Sequence, residues 1–465
     1  MKVTVVGAGR VGLPTALVFD HIGHDVACID KDESLIGLLR RRELPFCEPG
    51  LAPLLKNCDV QFANEMTEGY ANSDVVMVAV GTPPLPDGQA DLAAVRAVAQ
   101  ATVSLLRPGS QVTLVIKSTV PPGTTDNIQR LVEEQLGHHD CRVVVATNPE
   151  FLRGGAAIVD TLYPDRIVIG AHDEGAKQRL QELYRSIVNR AFLPVPDIRP
   201  ANERQSVPMV ITTPVNAELV KYASNTFLVT RLSFVNELAG LAERVGGDIK
   251  EVVKGVGLDP RIGPHYMEAG IGWGGPCLGK DASALLRVGE SHNYGMPMLR
   301  SAIEINRRQR RAVVEKLEQA LGSLQDVAIG ILGLAYKAGT DDITDSPGIE
   351  VASMLIAAGA RVRGYDPRVA AKAARHNPSL RVCSTIEEVT EGCDALILIS
   401  SGQQFQELPL AELGRSMRRR VLVDAKNLLD QRSVEAAGFT YLGLGRSRRS
   451  TAYATRSELA ARHSG

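Results

Sequence analysis

The sequence predicts an α/β protein in which two Rossmann-like, doubly wound parallel-sheet domains are joined by a long central helix. Three observations predict this fold: short β-branched runs that alternate with amphipathic stretches, an extended helical pattern mid-chain, and a second alternating series near the end. Short apolar runs are typical of parallel strands buried on both faces. Their alternation with helices predicts a parallel sheet.

The first alternating series supplies the predicted N-terminal domain, residues 1–205. Its helical patterns, for example Leu92–Leu106, lie between short apolar runs. Helices of this kind join neighbouring strands of a doubly wound sheet. The predicted strands are Lys2–Val6, Asp25–Ile29, Val75–Val80, Val112–Ile116 and Val143–Thr147.

The middle of the chain, residues 206–320, is predicted to be helical. From about Thr213 to Val245, apolar and polar residues recur at helical spacing, which predicts one long helix or a closely packed pair. A further helix is expected over about Pro297–Leu321.

A second α/β series fills residues 321–445, and the Arg- and Ser-rich residues 446–465 are expected to form a flexible, solvated tail. The predicted elements of this series are a helix at Gly348–Ala358 and strands at Asp326–Leu332, Arg361–Tyr365, Ala395–Ile399 and, as the last, Val421–Asp424.

Composition limits the classes of function. The formal net charge of the 465-residue chain is −1, so electrostatics gives no reason to expect nucleic acid or an anionic membrane as a partner. The chain has no run of about 18 apolar residues, so no transmembrane helix is expected. Its seven cysteines include no CxxC pair, which fits reduced thiols. We therefore expect a cytoplasmic protein without a metal site.

A dinucleotide-binding turn is predicted at Gly7-Ala8-Gly9-Arg10-Val11-Gly12, which follows a strand and precedes a helix. Gly7 permits the tight turn, Gly9 allows close approach of a pyrophosphate, and Gly12 allows helix and strand to pack closely. Asp30, 18 residues after Gly12, ends the second strand. A carboxylate there accepts hydrogen bonds from a ribose and repels a 2′-phosphate, so the pattern favours NAD over NADP.

A second glycine turn, Gly330-Ile331-Leu332-Gly333-Leu334-Ala335, lacks the full fingerprint. A second nucleotide site and a simple packing turn fit it equally well.

Cys277 is the strongest candidate nucleophile. It lies in a loop whose glycines allow close backbone approach to a ligand, and Lys280 nearby would favour the thiolate, the form that attacks carbonyl carbon. A cysteine taken at random is more often a buried, inert thiol, but this loop favours function. Its glycines are Gly270, Gly272, Gly274, Gly275 and Gly279.

Further candidates follow strand ends, where ligands bind in open α/β sheets. Glu150, in Asn148-Pro149-Glu150-Phe151-Leu152, is a candidate general base. Lys221 and Asn225 are four residues apart on the long helix and share a face. A surface pair is the default interpretation of those two.

These motifs together resemble the UDP-glucose/GDP-mannose dehydrogenase family over nearly the whole chain, from Met1 to about Gly445. The motifs that carry the resemblance are Gly7–Gly12, Val80–Pro83, Ser118–Pro121, Asn148–Leu152, Glu218–Leu228, Arg261–Gly263, Gly274–Asp281, and Gly333–Lys337 with Ser346-Pro347.

The resemblance implies a four-electron oxidation, by NAD, of the C6 hydroxyl of a nucleotide-linked hexose to a uronate. It implies a thiohemiacetal and then a thioester on Cys277. Lys221 and Asn225 would stabilise the oxyanion. Asp281 and Thr119 would hold the hydrolytic water, with Glu150 as the general base.

The resemblance also implies binding residues and an assembly. In the family, Arg261 would reach the substrate from a neighbouring subunit, and a homodimer or higher assembly is built on the long helix. The implied cofactor contacts are Gly7, Gly9, Arg10, Val11, Gly12, Asp30, Gly81, Thr82, Pro83, Ser118, Thr119 and Lys280. The implied substrate contacts are Glu150, Phe151, Leu152, Lys221, Asn225, Arg261, Gly270, Gly274, Tyr336, Lys337 and Lys426.

Four positions depart from the family pattern. Leu35, Gly154 and Thr344 replace a basic residue, a Glu and an Arg that lie near NAD in the family, so we expect weaker NAD binding. Lys426 stands where the family usually has Arg, and it loses the bidentate fork while keeping the charge.

Three functions stay open at this point. A nucleotide-sugar 6-dehydrogenase acting on UDP-glucose is favoured, although GDP-mannose and dTDP-glucose could undergo the same chemistry. A two-electron dehydrogenase that stops at an aldehyde or ketone would not need Cys277. A nucleotide-sugar-binding regulator is the alternative without catalysis, and the intact catalytic set argues against it.

Overall fold

The computed structural model describes residues 1–69, 73–138, 140–200 and 204–447. The chain divides into two compact units: Met1–Ser224 with Ser283–Gly295, and Asn225–Ala282 with the residues from Met296 onward. The predicted tail at 446–465 lies outside the described residues from position 448. The boundaries 1–205, 206–320 and 321–445 stay predictions.

The first unit is built on an eight-stranded sheet. Its strands are β1 (Lys2–Val6), β2 (Asp25–Ile29), β3 (Gln61–Ala63), β4 (Val75–Val78), β5 (Gln111–Ile116), β6 (Arg142–Thr147), β7 (Ile167–Gly170) and β8 (Met209–Thr212). Their order is β3-β2-β1-β4-β5-β6-β7-β8. The first six strands thus have the 3-2-1-4-5-6 order of a dinucleotide-binding sheet.

Helices connect these strands, and some begin at side-chain caps: the Asp32 carboxylate accepts from the N–H groups of Ser34 and Leu35. The helices of this part of the chain are α1 (Gly12–His21), α2 (Glu33–Arg40), α3 (Leu51–Asn57), α4 (Met66–Gly69), α5 (Ala93–Ser104), α6 (Thr124–Leu136), α7 (Ala157–Leu162), α8 (Glu174–Leu183) and α9 (Arg185–Val188).

The sheet is not wholly parallel, which corrects one detail of the prediction. β6 pairs with β7 in the antiparallel direction at Thr147 and Gly170. Three strands of this sheet, β3, β7 and β8, were not predicted from the sequence. β3 and β8 are short, with three and four residues, and Val210 and Ile211 of the edge strand β8 are exposed, so neither has the continuous buried run that marks the predicted strands.

One long helix, rather than a helix pair, occupies the predicted helical stretch. This helix, α10 (Pro214–Arg244), begins in the first unit and continues in the second. Three more helices follow it: α11 (Ile249–Gly257), α12 (Leu278–Ser291) and α13 (Pro297–Leu321). Both α11 and α12 were missed because glycines interrupt their surroundings.

The second unit contains a six-stranded, wholly parallel sheet. Its strands are β9 (Ala328–Leu332), β10 (Arg361–Tyr365), β11 (Arg381–Val382), β12 (Ala395–Leu398), β13 (Val421–Asp424) and β14 (Thr440–Gly443). The order β11-β10-β9-β12-β13-β14 is again 3-2-1-4-5-6. The prediction that Val421–Asp424 is the last strand is wrong, because β14 pairs with it in parallel.

The helices of the second sheet also begin at favourable residues. Ser346 caps α14, and Pro347 occupies its first turn, where no backbone N–H is needed. These helices are α14 (Pro347–Ala357), α15 (Ala370–His376), α16 (Ile386–Thr390), α17 (Leu410–Ser416) and α18 (Gln431–Ala436), with a short 3₁₀ turn at Gln403–Phe405.

Each sheet has an apolar cluster on both faces. In β4, Val75 and Met77 enter one cluster, whereas Val76 and Val78 enter another. Successive side chains of a strand point to opposite faces, so this alternation means that both faces are buried. Among the described residues, no helix has both the length and the apolar character needed to cross a bilayer.

Candidate active site

The glycine turn after β1 has the geometry that a dinucleotide requires. Gly7 has φ +103°, and a Cβ on Gly12 would lie 1.7 Å from the Gly7 carbonyl oxygen, so both positions exclude side chains. A Cβ on Gly9 or on Gly81 would meet nothing within 4 Å. Gly7 and Gly12 therefore let helix and strand pack closely, whereas Gly9 and Gly81 leave open space for a ligand.

Asp30 faces this turn. Its Oδ2 accepts from the Ala8 N–H at 2.8 Å and its Oδ1 accepts from the Asp32 N–H at 3.0 Å. A carboxylate has about four acceptor sites, so half-buried Asp30 keeps capacity for ribose hydroxyls. These residues fit NAD.

The loops after β4 and β5 are tied together beside the turn. The Thr82 hydroxyl donates to the Thr119 carbonyl at 2.8 Å, and the Ser118 hydroxyl donates to the Val80 carbonyl at 2.6 Å. Hydroxyls of two residues predicted to contact the cofactor, Thr82 and Ser118, therefore hold the loop conformation. Arg10 lies over the Phe46 ring at 5.0 Å.

Glu150 and Lys221 form a buried ion pair in the first unit. Lys221 Nζ lies 2.9 Å from Glu150 Oε1, and the Leu152 N–H donates to Oε2 at 2.5 Å. Burial works against ionisation of Glu150, but the Lys221 ammonium and these hydrogen bonds outweigh it and lower its pKa. Phe151 packs beneath, with Lys221 Nζ 5.6 Å from its ring centre. Glu150 is thus a carboxylate at neutral pH.

A third ionisable group, Lys117, is buried at the end of β5. Its Nζ donates to Asn148 Oδ1 at 3.1 Å, and the Tyr184 hydroxyl donates to the same oxygen at 2.5 Å. Burial lowers the pKa of Lys117 to about 8, with Lys221 adding to the effect and Glu150 opposing it. The sequence analysis assigned no role to Lys117 or Tyr184, although a lysine at a strand end was a detectable signal.

Glu218 anchors the start of α6. It lies three residues before Lys221 on α10 and accepts from the N–H of Gly123 at 2.6 Å and of Thr125 at 2.8 Å. Burial raises the pKa of Glu218 to about 6, while the Thr125 hydroxyl and these N–H groups oppose the rise. Glu218 therefore fixes α10 to the loop that carries Ser118 and Thr119.

Cys277 is exposed and immediately precedes α12 in the second unit. Its carbonyl accepts from the Asp281 N–H at 2.9 Å, so the thiol lies at a helix N-terminus, where negative charge is stabilised. Buried Asp281 accepts from Asn225 Nδ2 at 2.6 Å and from Lys280 Nζ at 2.8 Å. The second unit thus brings together four predicted residues: Cys277, Asp281, Asn225 and Lys280.

The glycines of the Cys277 loop press against the end of the second sheet. A Cβ on Gly270 would lie 2.6 Å from the Ala425 carbonyl oxygen, and one on Gly275 would lie 2.5 Å from the Tyr336 ring. Two predicted substrate residues, Tyr336 and Lys426, are therefore next to this loop. Burial lowers the pKa of Lys426, and Glu268 opposes that change.

The turn after β9 repeats the geometry of the turn after β1. Gly333 has φ +102°, and a Cβ on it would lie 2.8 Å from the Ser400 nitrogen. Asp366 occupies the place of Asp30, but it is buried and accepts from the N–H groups of Leu334 at 2.9 Å, Ala335 at 3.0 Å and Arg368 at 3.0 Å. Its burial and its three backbone partners leave this carboxylate less able than Asp30 to accept from a ribose.

Arg261 is not brought to either cluster by any contact described here. It is exposed, and its guanidinium pairs with Asp259 at 2.7 Å. Its contact with substrate from a neighbouring subunit stays a prediction.

Family models match three stretches of the chain. Residues 1–188 match the NAD binding domain, 215–308 the central domain and 330–431 the UDP binding domain of the UDP-glucose/GDP-mannose dehydrogenase family.

The chain belongs to the UDP-glucose/GDP-mannose dehydrogenase family. It is similar to UDP-glucose 6-dehydrogenase from Rhizobium meliloti (strain 1021), with 39% identity over 96% of this chain and 100% of the relative. It is 37% identical to UDP-glucose 6-dehydrogenase YwqF from Bacillus subtilis (strain 168) over 96% and 98% of the two chains. A UDP-glucose dehydrogenase structure from Pyrobaculum islandicum superposes with a TM-score of 0.85 at 37% identity, covering 96% of this chain and 98% of the other.

This membership confirms the predicted fold, the NAD cofactor and the predicted class of enzyme, an NAD-dependent nucleotide-sugar dehydrogenase. It also favours a nucleotide, rather than a simple packing turn, at Gly330–Ala335, because this turn opens the UDP binding domain.

Proposed function

We propose that this family member oxidises the C6 hydroxyl of UDP-glucose to a carboxylate through a covalent intermediate on Cys277. The observation that carries the proposal is the exposed thiol at the start of α12, with buried Asp281 and its partner Asn225 beside it. UDP-glucose is the proposed sugar nucleotide because the relatives at 37–39% identity are named for it.

NAD held by the glycine turn after β1 and by Asp30 would supply the oxidant for two successive hydride losses from C6. When the first hydride leaves, the hydroxyl proton must leave too, and the aldehyde forms. The Lys221 ammonium, held by Glu150 at 2.9 Å, supplies positive charge where the alkoxide develops. This group needs no rearrangement, because its partner already orients it.

Cys277 then retains the aldehyde. The sulfur bonds to C6, the carbonyl electrons move to oxygen, and a proton gives the thiohemiacetal. Asn225 supports the oxyanion at this step. Loss of the second hydride and of the hydroxyl proton leaves a thioester.

Hydrolysis ends the reaction. Asp281 and Thr119 hold the water, and Glu150, ionised at neutral pH, takes its proton. Water adds to the thioester carbon, the C–S bond breaks, and the thiol is regenerated. In total, one sugar, two NAD⁺ and one water give one carboxylate, two NADH and three protons.

The test is the NADH yield per sugar over a panel of UDP-, dTDP- and GDP-hexoses. We expect two NADH per UDP-glucose, and not more than one in Cys277→Ala, which cannot form the thioester. Cys47→Ala, at an exposed cysteine of the first unit, is the control and should keep two. One NADH per sugar, unchanged in Cys277→Ala, would instead support a two-electron dehydrogenase. Two NADH from GDP-mannose or dTDP-glucose, and none from UDP-glucose, would overturn the substrate assignment.

We also propose a cytoplasmic homodimer formed on α10. The seven cysteines of the sequence include no CxxC pair, which supports a reducing compartment. Exposed Phe227, Phe234 and Leu241 recur every seven residues on α10. Seven-residue apolar spacing is the pattern by which two helices pack along a common seam, which supports a second copy of the chain as the partner.

A further inference from the structure

Helix α13 holds the backbone of Trp273, four residues before Cys277. Asn306 Oδ1 accepts from the Trp273 N–H at 2.8 Å, and Asn306 Nδ2 donates to the Trp273 carbonyl at 2.9 Å. Arg310 Nη2 donates to the same carbonyl at 3.0 Å. Both side chains are buried. One residue of the loop thus makes three hydrogen bonds with a helix distant in sequence, one as donor and two as acceptor.

The indole of Trp273 is fixed as well. Its Nε1 donates to the Ser233 hydroxyl at 3.3 Å, and Ser233 donates to the Ala302 carbonyl of α13 at 2.7 Å. The ring is buried. Trp273 therefore ties the loop to α10 and α13 at once.

The rest of the loop has few side chains that could fix its position. Glycines at 272, 274 and 275 provide no side chains, and glycine has the greatest backbone freedom. Gly272 has φ +94°, and a Cβ there would lie 2.1 Å from Asn306 Oδ1. The close approach of Asn306 is therefore possible only at a glycine. The location of the thiol depends on contacts made from outside the loop.

Arg310 carries the connection to the second sheet. Its Nη1 lies 2.5 Å from Glu350 Oε2, in the first turn of α14. That turn is packed on the glycine turn after β9, since a Cβ on Gly348 would lie 2.5 Å from the Gly333 carbonyl oxygen. One guanidinium thus joins the nucleotide end of the sheet to the loop of the nucleophile.

We propose that Asn306 and Arg310 are positioning residues that set the location of Cys277 for attack on the aldehyde. The inference rests on the proposed function. The first hydride transfer does not involve the thiol, whereas capture of the aldehyde does. A displaced thiol therefore lets aldehyde escape, and a shift of about 1 Å can slow a step on the order of 100-fold.

The test compares Asn306→Asp and Arg310→Lys with wild type. Asp keeps the acceptor for the Trp273 N–H but loses the donor to its carbonyl, and Lys keeps the charge but cannot bridge both partners. We expect NADH per sugar to fall from two toward one, with KM for NAD and UDP-glucose unchanged within about twofold. Free aldehyde should be trapped by a hydrazine. Arg311→Ala, exposed on the same helix, is the matched control and should yield two.

A second readout follows the thiol itself. In a Cys47→Ser, Cys141→Ser background, iodoacetamide should label Cys277 at a rate that differs at least about threefold between wild type and Asn306→Asp. Ser233→Ala removes the hydrogen-bond partner of the Trp273 indole, and it replaces Arg310→Lys in this test if Arg310→Lys does not fold. Folded variants with two NADH per sugar and an unchanged labelling rate would overturn the inference. One NADH per sugar in wild type would contradict the proposed function instead, while the labelling rate would still decide the positioning role.

Discussion

At the scale of single residues, the buried charges of the first unit are the features most sensitive to conditions. Lys117, Glu150 and Lys221 are all buried, and only Glu150 is acidic. A buried ammonium is costly, and burial lowers the pKa of Lys117 to about 8. Its charge at neutral pH therefore reduces the stability of the folded chain.

The lowered pKa of Lys117 makes the stability of the folded chain depend on pH. Folding lowers the pKa of Lys117, so the folded state favours the neutral amine more than the unfolded chain does. The stabilisation that results is complete at high pH and is lost as the pH falls toward about 8. Relative to Lys117→Met, wild type should gain about 2 kcal/mol in the free energy of unfolding between about pH 8 and pH 9.5. Urea denaturation at several pH values measures this difference.

Lys56→Met, at an exposed lysine of the same unit, is the matched control and should show no such trend. A difference in the free energy of unfolding between wild type and Lys117→Met that stays constant over this pH range would contradict the lowered pKa of Lys117. The variant should also lose activity, since it removes a donor from Asn148 beside Glu150.

The departures near the cofactor predict weak NAD binding. Half-buried Leu35 packs against the core of the first unit instead of offering a cation, and Thr344 donates to Asp342 at 2.7 Å. We expect a dissociation constant for NAD weaker than the low-micromolar range by isothermal titration. Leu35→Arg should tighten it a few-fold, because a cation would be restored near Asp30. A wild-type value in the low-micromolar range or tighter would refute this.

Candidate catalytic residues that lie in a recognisable motif were predictable from the sequence, whereas the residues that hold them in place were not. Cys277 and Glu150 could be named because a glycine-rich loop and a strand end mark them. Asn306 and Arg310 escaped notice because their partner, Trp273, is more than thirty residues away in sequence. An asparagine on a helix looks the same in sequence whether it faces solvent or a distant carbonyl.

At the scale of elements, the buried strands were predictable and the edges were not. β1, β2, β10 and β13 have the predicted bounds, and each has buried apolar residues in its interior. β14 was missed because four residues with one tyrosine carry no clear pattern. Packing against β13, rather than local propensity, makes β14 a strand.

The exposed apolar residues of α10 predict that two copies of the chain associate along this helix. Phe227, Phe234 and Leu241 are 64%, 52% and 57% exposed, although each is large and apolar. Phe234→Glu should raise the dimer dissociation constant on the order of 30-fold, the cost of losing a central apolar anchor of about 2 kcal/mol. Analytical ultracentrifugation measures it.

Glu237→Ala, at an exposed polar position one turn further along α10, is the control for that measurement. It should leave the association unchanged. A monomeric wild-type protein at micromolar concentration would refute the proposed homodimer.

At the scale of the whole molecule, the two sheets share one plan. The first six strands of the first sheet and all six strands of the second have the order 3-2-1-4-5-6. In each sheet, a glycine with positive φ follows the first strand of the series. The sequence analysis predicted this duplication because the alternation of strands and helices occurs twice. It could not predict the antiparallel pairing of β6 with β7, since pairing direction depends on contacts between segments rather than on local pattern.

The contrast between Asp30 and Asp366 has a consequence for how such enzymes diverge. Half-buried Asp30, beside the turn after β1, keeps acceptor sites for a ligand. Buried Asp366, beside the turn after β9, already accepts from backbone N–H groups. A mutation at Asp30 can therefore alter which cofactor is accepted without weakening the second sheet. Tyr336 and Lys426 are the residues predicted to contact the sugar nucleotide, so we expect its preference to change around them instead. We therefore expect the preference for the cofactor and the preference for the sugar nucleotide to change through separate sets of substitutions.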